Sequence, residues 1–297
     1  MRYLLLLTAS ATFALAGCGG NATPSIRTSY NAFASAPAMH VMRPMKLGET
    51  APRATPVSNM TYHGGPVQLT PTVYLVLWGF TGKARDPYGE GPYLQKFLSG
   101  VGGSTWLGTL TQYYSYPGRK HVANPSNQLV NTWTDSAFVP LHPSQDQVGA
   151  EAARAQNHFN DFGPDVMFFI ALPAKHDPTY FLGGKYCAYH SWASNGSRAV
   201  VYTAFPYNTD FSFKGYSCGS DVVNGSNGKL DGASIVGGHE LAESQTDPFV
   251  SAWYDVAPTG EVADKCAWML LKDIVLPTGS FPTQGLWSNR LRKCTQG

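Results

Sequence analysis

Ser144 to Leu172 reads SQDQVGAEAARAQNHFNDFGPDVMFFIAL, and its two halves decide the fold class. Ser144 and Gln147 form a capping-box pair, a signal for a helix start. Val148, Ala152, Ala155 and Phe159 then recur at helical spacing. Gly163-Pro164 ends the helix, and Val166 to Leu172 follows as a continuous apolar run, the pattern of a buried strand. Working outward, Val73 to Trp78 (VYLVLW) lies between Pro71 and Gly79 and reads as a second buried strand, and Ala199 to Phe205 (AVVYTAF) as a third. Pro92 to Val101 reads as a helix with proline in its first turn. Trp106 to Tyr114 reads as another, with Trp106, Leu110 and Tyr113 on one face. Helices alternating with buried strands predict an α/β fold, a single domain with a mixed central sheet flanked by helices.

The N-terminus reads as a leader. Arg2 supplies a positive start, and Tyr3 to Ala14 is an apolar stretch of signal-peptide length, too short to span a bilayer well. It ends in Leu15-Ala16-Gly17-Cys18, which resembles the bacterial lipobox. Residues 1–17 are then a lipoprotein signal peptide and Cys18 the lipidation site, giving a membrane anchor on an exported protein. Residues 18–60 lack apolar periodicity, are rich in Ala, Pro, Ser, Thr and Asn, and read as a flexible tether. The domain is expected over 61–297. No later stretch is long and apolar enough for a transmembrane helix.

Apart from Cys18 there are four cysteines, Cys187, Cys218, Cys266 and Cys294. An even number in an exported chain predicts two disulfides. Of the three pairings, Cys187–Cys218 and Cys266–Cys294 close the most local loops. No Cys-x-x-Cys pair is present, which argues against a thiolate zinc site. Net charge is +2 and 13% of residues are charged. With no basic run to track phosphates, nucleic acid is not an expected partner.

The chemistry-bearing stretch is GGHELAESQTDP, residues 237–248. It begins like the His-Glu-x-x-His helix of zinc peptidases, but Glu243 stands where the second His belongs. With Asp231 or Ser234 as cap, a zincin-like helix is expected to run to about Gln245, and Pro248 stops it. His239 and Glu243, four apart, share a face, and Glu240 is offset by about 100°. That geometry suits two metal ligands with an intervening general base. The plainer reading is a surface i, i+4 pair worth a few tenths of a kcal/mol. Gly237 and Gly238 weaken the helix by roughly 1 kcal/mol each, which implies close approach by a strand or a substrate. Glu261 and Asp264 lie 18 and 21 residues beyond Glu243, and either is a candidate third ligand. Asp264 sits two residues before Cys266, which a disulfide would hold in place.

The stretch SIVGGHELAESQTDPFVSAWYD with GEVADKCAW resembles the C-terminal signature of the EXORDIUM / phosphate-induced protein family and its bacterial relatives. TYHGGPV followed by VYLVLWG looks like that family's opening, and Tyr186-Cys187-Ala188-Tyr189-His190 like its central Cys-x-x-His segment. The resemblance covers most of residues 61–297. Two departures stand out: plant members tend to have Thr-Asn-Pro where this chain has Thr246-Asp247-Pro248, and their Gly-rich C-terminus has no counterpart here. The resemblance implies an exported, cell-surface or wall-associated protein and fixes no chemistry.

Two functions follow as expectations. The first is an exported, lipid-anchored zinc-dependent hydrolase acting on peptides, with Glu240 as general base, His190 as substrate-side donor or fourth ligand, and His239, Glu243 and Asp264 or Glu261 as ligands. One His and two carboxylates leave a Zn²⁺ site with no net charge, a weaker Lewis acid than a His₂Glu site, unless His190, Tyr189 or Lys265 compensates. Oxygen-rich ligation also admits Ca²⁺ or Mn²⁺. The second is a non-catalytic cell-surface protein that binds wall polysaccharide or a protein partner. Trp253, Tyr254 and Trp268 suit either sugar stacking or core packing. Glu240, Glu243, Asp255 and Glu261 supply carboxylates for a glycosidase pair, whose separation the sequence does not give. His63 is expected in a turn against Pro66, and His176-Asp177-Pro178 in a simple turn. No Gly-x-Ser-x-Gly elbow supports a serine hydrolase.

Overall fold

The computed structural model describes residues 39–48, 58–255 and 260–297. The leader, Cys18 and most of the expected tether lie outside them. Six strands form the central sheet: β1 (His40–Met42), β2 (Thr72–Trp78), β3 (Leu129–Asp135), β4 (Val166–Ala171), β5 (Ala188–Asn195) and β6 (Arg198–Phe205). Their order is β1-β5-β6-β4-β2-β3. β6, β4, β2 and β3 are parallel, while β5 is antiparallel to both β6 and β1. The expected mixed α/β sheet is therefore present. β4 is buried along its whole length and β2 in all but its first residue, as strands covered on both faces must be. β3 escaped sequence reading because it is an edge strand of mixed exposure with no apolar run. β5 and β6 are joined by a two-residue turn, Gly196-Ser197, with Gly196 at φ +63°, a backbone region glycine enters without steric cost.

Three long helices flank the sheet: α1 (Glu90–Val101), α2 (Gln145–Phe159) and α3 (Asp231–Thr246). The capping box predicted for α2 is formed, Ser144 and Gln147 each satisfying the other's backbone amide. The segment expected as one helix over 106–114 is instead a short α turn, Thr105–Gly108, and a 3₁₀ turn, Thr109–Gln112. Side chains alternate across β5. Ala193 meets Gly149 of α2, while His190 faces Glu240 of α3. The two helices therefore cover opposite faces of the sheet.

Every residue of α3 is buried, charged ones included. Neither expected cap operates. Leu230 is the N-cap without a side-chain bond, the Asp231 carboxylate accepts the amides of Val223 and Asn224, and Ser234 donates to the Pro282 carbonyl at 2.6 Å. The close approach implied by Gly237 and Gly238 is real but involves side-chain rings. A Cβ on Gly237 would lie 3.3 Å from Phe169 of β4, and one on Gly238 3.0 Å from Trp106 and 3.2 Å from Phe97.

One domain boundary requires correction. Residues 39–48, assigned to the tether, belong to the domain. β1 pairs with β5 in the register His40↔His190, Val41↔Tyr189 and Met42↔Ala188. Met45–Lys46 pairs with Tyr216–Ser217. A three-residue strand carries too little apolar pattern to stand out in a Pro- and Ala-rich stretch.

Two predictions follow. Gly238→Ala gains about 1 kcal/mol of helix propensity. Trp106 cannot retreat, however, because its indole N–H donates to the Gln284 carbonyl at 2.8 Å, and overpacking costs about 1–3 kcal/mol. Urea unfolding should show net destabilisation; a stabilised variant would refute tight packing at this point. Asp177 is buried near Asp210, and burial, then the Asp210 charge, push its carboxyl up to about 8. The neutral form favours the fold, so this contribution is complete below the ordinary carboxylate value and lost as pH rises towards 8, on the order of 1 kcal/mol per pH unit. Asp177→Asn should flatten the stability profile between pH 5 and 8, whereas parallel profiles would exclude this residue as the source.

Candidate metal centre

Four segments bring the titratable groups together. His40 of β1 and His190 of β5 are directly opposed cross-strand partners on the sheet face towards α3. α3 contributes His239, Glu240 and Glu243. Glu261 and Asp264 come from the chain leading into the 3₁₀ turn Asp264–Cys266. Both expected disulfides are present and hold this frame. Cys187–Cys218 fixes the start of β5, and Cys266–Cys294 ties down the turn beside Asp264. They point to an oxidising, extracellular compartment. Among the described residues no helix is long and apolar enough to cross a membrane.

The site is almost entirely buried. His190, His239, Glu240, Glu243 and Glu261 have no exposed surface, and His40 is 2% exposed. Only the Asp264 side chain reaches outward, at 12%. His239 Nε2 lies 3.2 Å from Glu243 Oε1 and 3.6 Å from Asp264 Oδ1. His190 Nδ1 lies 3.2 Å from Glu240 Oε2 and 3.6 Å from Glu243 Oε2. His190 Nε2 lies 3.6 Å from Glu261 Oε1, while the other Glu261 oxygen bonds His40 Nδ1. The Asp264 amide donates to Glu243 Oε1 at 2.9 Å.

Several of these atoms approach one another without hydrogen bonding. Both His239 nitrogens, His190 Nε2, His40 Nε2, Glu243 Oε2 and Glu261 Oε1 lack a protein hydrogen-bond partner. Buried polar atoms are ordinarily paired, so this concentration of orphans in one place calls for a ligand. Separations of 3.2–3.6 Å also match a shared cation, because bonds of about 2.1 Å in tetrahedral array place donors about 3.4 Å apart. Three overlapping sets have donor atoms mutually within 4.8 Å: His239/Glu243/Asp264, His190/Glu240/Glu243 and His40/His190/Glu261. These buried groups can hold a metal ion.

The electrostatics demand positive charge here. Burial alone would depress the His239 imidazole, but Glu243, Glu240 and Asp264 outweigh it and lift it to about 10. Burial opposes the Glu243 carboxylate, yet His239, His190 and the Asp264 amide hold it below its ordinary value. Burial, then the charges of Glu243 and Asp247, push Glu261 far up. Burial and Glu243 do the same to Asp264. Burial raises Glu240 against the pull of the two imidazoles. His40 is driven by burial and then by His190 down to about 3, and so is neutral.

The structure sorts the remaining candidates. Glu240 has both oxygens engaged, Oε1 by the Met42 amide at 3.2 Å and Oε2 by His190. This is the arrangement in which a carboxylate fixes an imidazole's orientation. Tyr189 points away from His190, to the opposite sheet face, and cannot compensate the site. Lys265 bonds Asp255, so neither is free for the centre, and Asp255 drops out of any glycosidase pair. Trp253 and Trp268 are buried, their indoles donating to Tyr114 and Arg43 carbonyls, so both are packing residues. His63 stacks on Tyr254 at 3.7 Å, where Pro66 was expected. His176 is buried and bonds the Pro140 carbonyl at 3.0 Å. His40 was missed because no motif surrounds it; its only sequence signal is the short alternation His-Val-Met.

Fold and site together define an α/β protein with a buried histidine–carboxylate cluster built around one polar helix. No family model matches the chain, nor does any curated protein or solved structure. Cys266–Cys294 closes 28 residues, worth about 3 kcal/mol of unfolded-chain restriction. Replacing both cysteines by Ser should lower stability in urea unfolding by about that amount; an unchanged unfolding midpoint would show that the disulfide does not restrict the unfolded chain as expected.

Proposed function

We propose that this chain is an exported, lipid-anchored, metal-dependent hydrolase acting on peptides, with Zn²⁺ held by His239, Glu243 and Asp264. The observation that carries the reading is the orphaned, fully buried His239 imidazole facing two carboxylates at 3.2 and 3.6 Å. Zinc at such a site supplies Lewis acidity and a more acidic water. Glu240 would serve as the general base for the attacking water; its Oε2 is the oxygen that faces His190. His190 Nδ1, 3.2 Å away, orients that carboxylate and stabilises its charge. The Asp264 amide holds Glu243 Oε1 in place. Export rests on the two disulfides and on the leader, the lipid anchor on the lipobox-like Cys18. The EXORDIUM resemblance supports the surface location.

One observation favours the second reading, a non-catalytic surface protein in which the ion is structural: apart from Asp264, the cluster has essentially no solvent access. Metal analysis and casein hydrolysis separate the two. Wild-type protein should carry zinc, and His239→Ala should lose the ion of this site. Glu240→Gln should retain zinc and lose at least about 10²-fold in rate, the lower range of general-base contributions. Folded, metal-free wild type ends the metal reading. Zinc-loaded wild type without hydrolysis leaves the structural role, and unchanged activity in Glu240→Gln removes that residue as base.

A further inference from the structure

We infer that the chain binds a second divalent cation, of the Zn²⁺ class, through His40, His190 and Glu261, and that this ion fastens the N-terminal strand β1 to the core. The site shares no ligand with His239, Glu243 and Asp264, so its occupancy is tested separately from theirs, although His190 and Glu240 serve both readings.

Three observations carry it. The first is convergence. One donor atom from each of the three residues lies within 4.8 Å of the others, and the three are brought together from β1, β5 and the 260–266 segment. Cross-strand register makes this possible, because His40 is directly opposite His190 and both rings project to the same face.

The second is orphaning. His40 Nε2, His190 Nε2 and Glu261 Oε1 are buried without a hydrogen-bond partner. His190 Nε2 and Glu261 Oε1 stand 3.6 Å apart, beyond hydrogen-bonding range and within the span of two ligands on one ion. The outer support of a ligand histidine is already in place. Glu240 Oε2 faces His190 Nδ1 at 3.2 Å, leaving Nε2 for the cation, the carboxylate–histidine–metal arrangement of zinc sites.

The third is charge. Glu240, Glu243, Asp247, Glu261 and Asp264 bring five carboxyl groups into this region, all but Asp264 fully buried. Asp247 is met by the Ser251 and Ala252 amides, and an ion at His239/Glu243/Asp264 would balance Glu243 and Asp264. Glu240 and Glu261 then remain, and a second divalent ion would balance both when they are ionised. Two imidazoles and a carboxylate are borderline-soft donors, which favours Zn²⁺ over Ca²⁺ or Mg²⁺.

The test is zinc stoichiometry on the full folded protein after zinc loading and removal of excess metal, on wild type, His40→Ala, His239→Ala and the double variant. The expected counts are two, one, one and none. Because His40→Ala also removes packing, Glu261→Gln is measured beside it; the amide keeps the shape and should also reduce the count from two to one. Limited proteolysis gives an independent readout, with cleavage near residues 39–48 accelerated in zinc-free wild type and in zinc-loaded His40→Ala, but not in zinc-loaded His239→Ala. A wild-type count of one that survives in His40→Ala and Glu261→Gln overturns the second site and leaves the first intact. A count that falls in those two variants but not in His239→Ala keeps the second site and removes the first. A metal-free wild type overturns both, with protons then balancing the carboxylates.

Discussion

Uncompensated negative charge inside the domain is the constraint on which the rest depends. Moving one ion out of water costs several kcal/mol even after relaxation, and a whole domain is stable by only about 5–15 kcal/mol. Four carboxylates around α3 without counter-charge would consume that margin. Burial shifts them first, and after it one another, Asp247 and the imidazoles of His190 and His239. Counter-charge must therefore come from bound cations or protons. The lifted His239 imidazole is the same demand expressed on a titratable group, where a proton holds the place an ion would take. Binding of a metal here would be linked to folding in the same way.

Strand parity converts this charge problem into a defined site. In β5, His190 faces α3 while its neighbours Tyr189 and Ser191 face the opposite layer. Shifting β1 by one residue would send His40 to the wrong side and bring Val41 against Glu261. The register is held by more than the imidazoles: the Cys187 amide donates to the Met42 carbonyl at 2.8 Å, and the Met42 amide caps Glu240. A three-residue strand is thus bonded on one side to the sheet and on the other to the site helix. It could not persist as an isolated strand.

The sequence made legible what is local. The capping box of α2, the doubly buried strands, the two short-range disulfides and the i, i+4 placement of His239 and Glu243 all follow from neighbours in the chain. What stayed hidden depends on distant pairing. His40 joins Glu261 across 221 positions, and nothing near residue 40 announces a ligand. The engagement of both Glu240 oxygens was equally invisible, since one partner lies in β1 and the other in β5. Gly237 and Gly238 gave a correct signal of close approach, but only the packed rings of Phe169, Trp106 and Phe97 show what approaches. α3 itself was legible from its motif and its Pro248 stop, but its burial was not, because a helix buried on every side presents no apolar stripe.

Charge and access run in opposite directions across the two donor sets. A divalent ion at His239/Glu243/Asp264 is left neutral by its ligands, whereas one at His40/His190/Glu261 retains a single positive charge until Glu240 beside it is counted. Residual charge governs how strongly an ion acidifies water. By that measure the second set is the stronger Lewis acid. Yet it is the more enclosed, with β1 across it, whereas Asp264 of the first set has the most exposed side chain of the cluster, at 12%. Water would therefore reach an ion at the first set more readily than one at the second. On the proposed reading, hydrolysis would take place at the Asp264 end, and the fifth-position Glu243 would trade acidity for a neutral, buried centre.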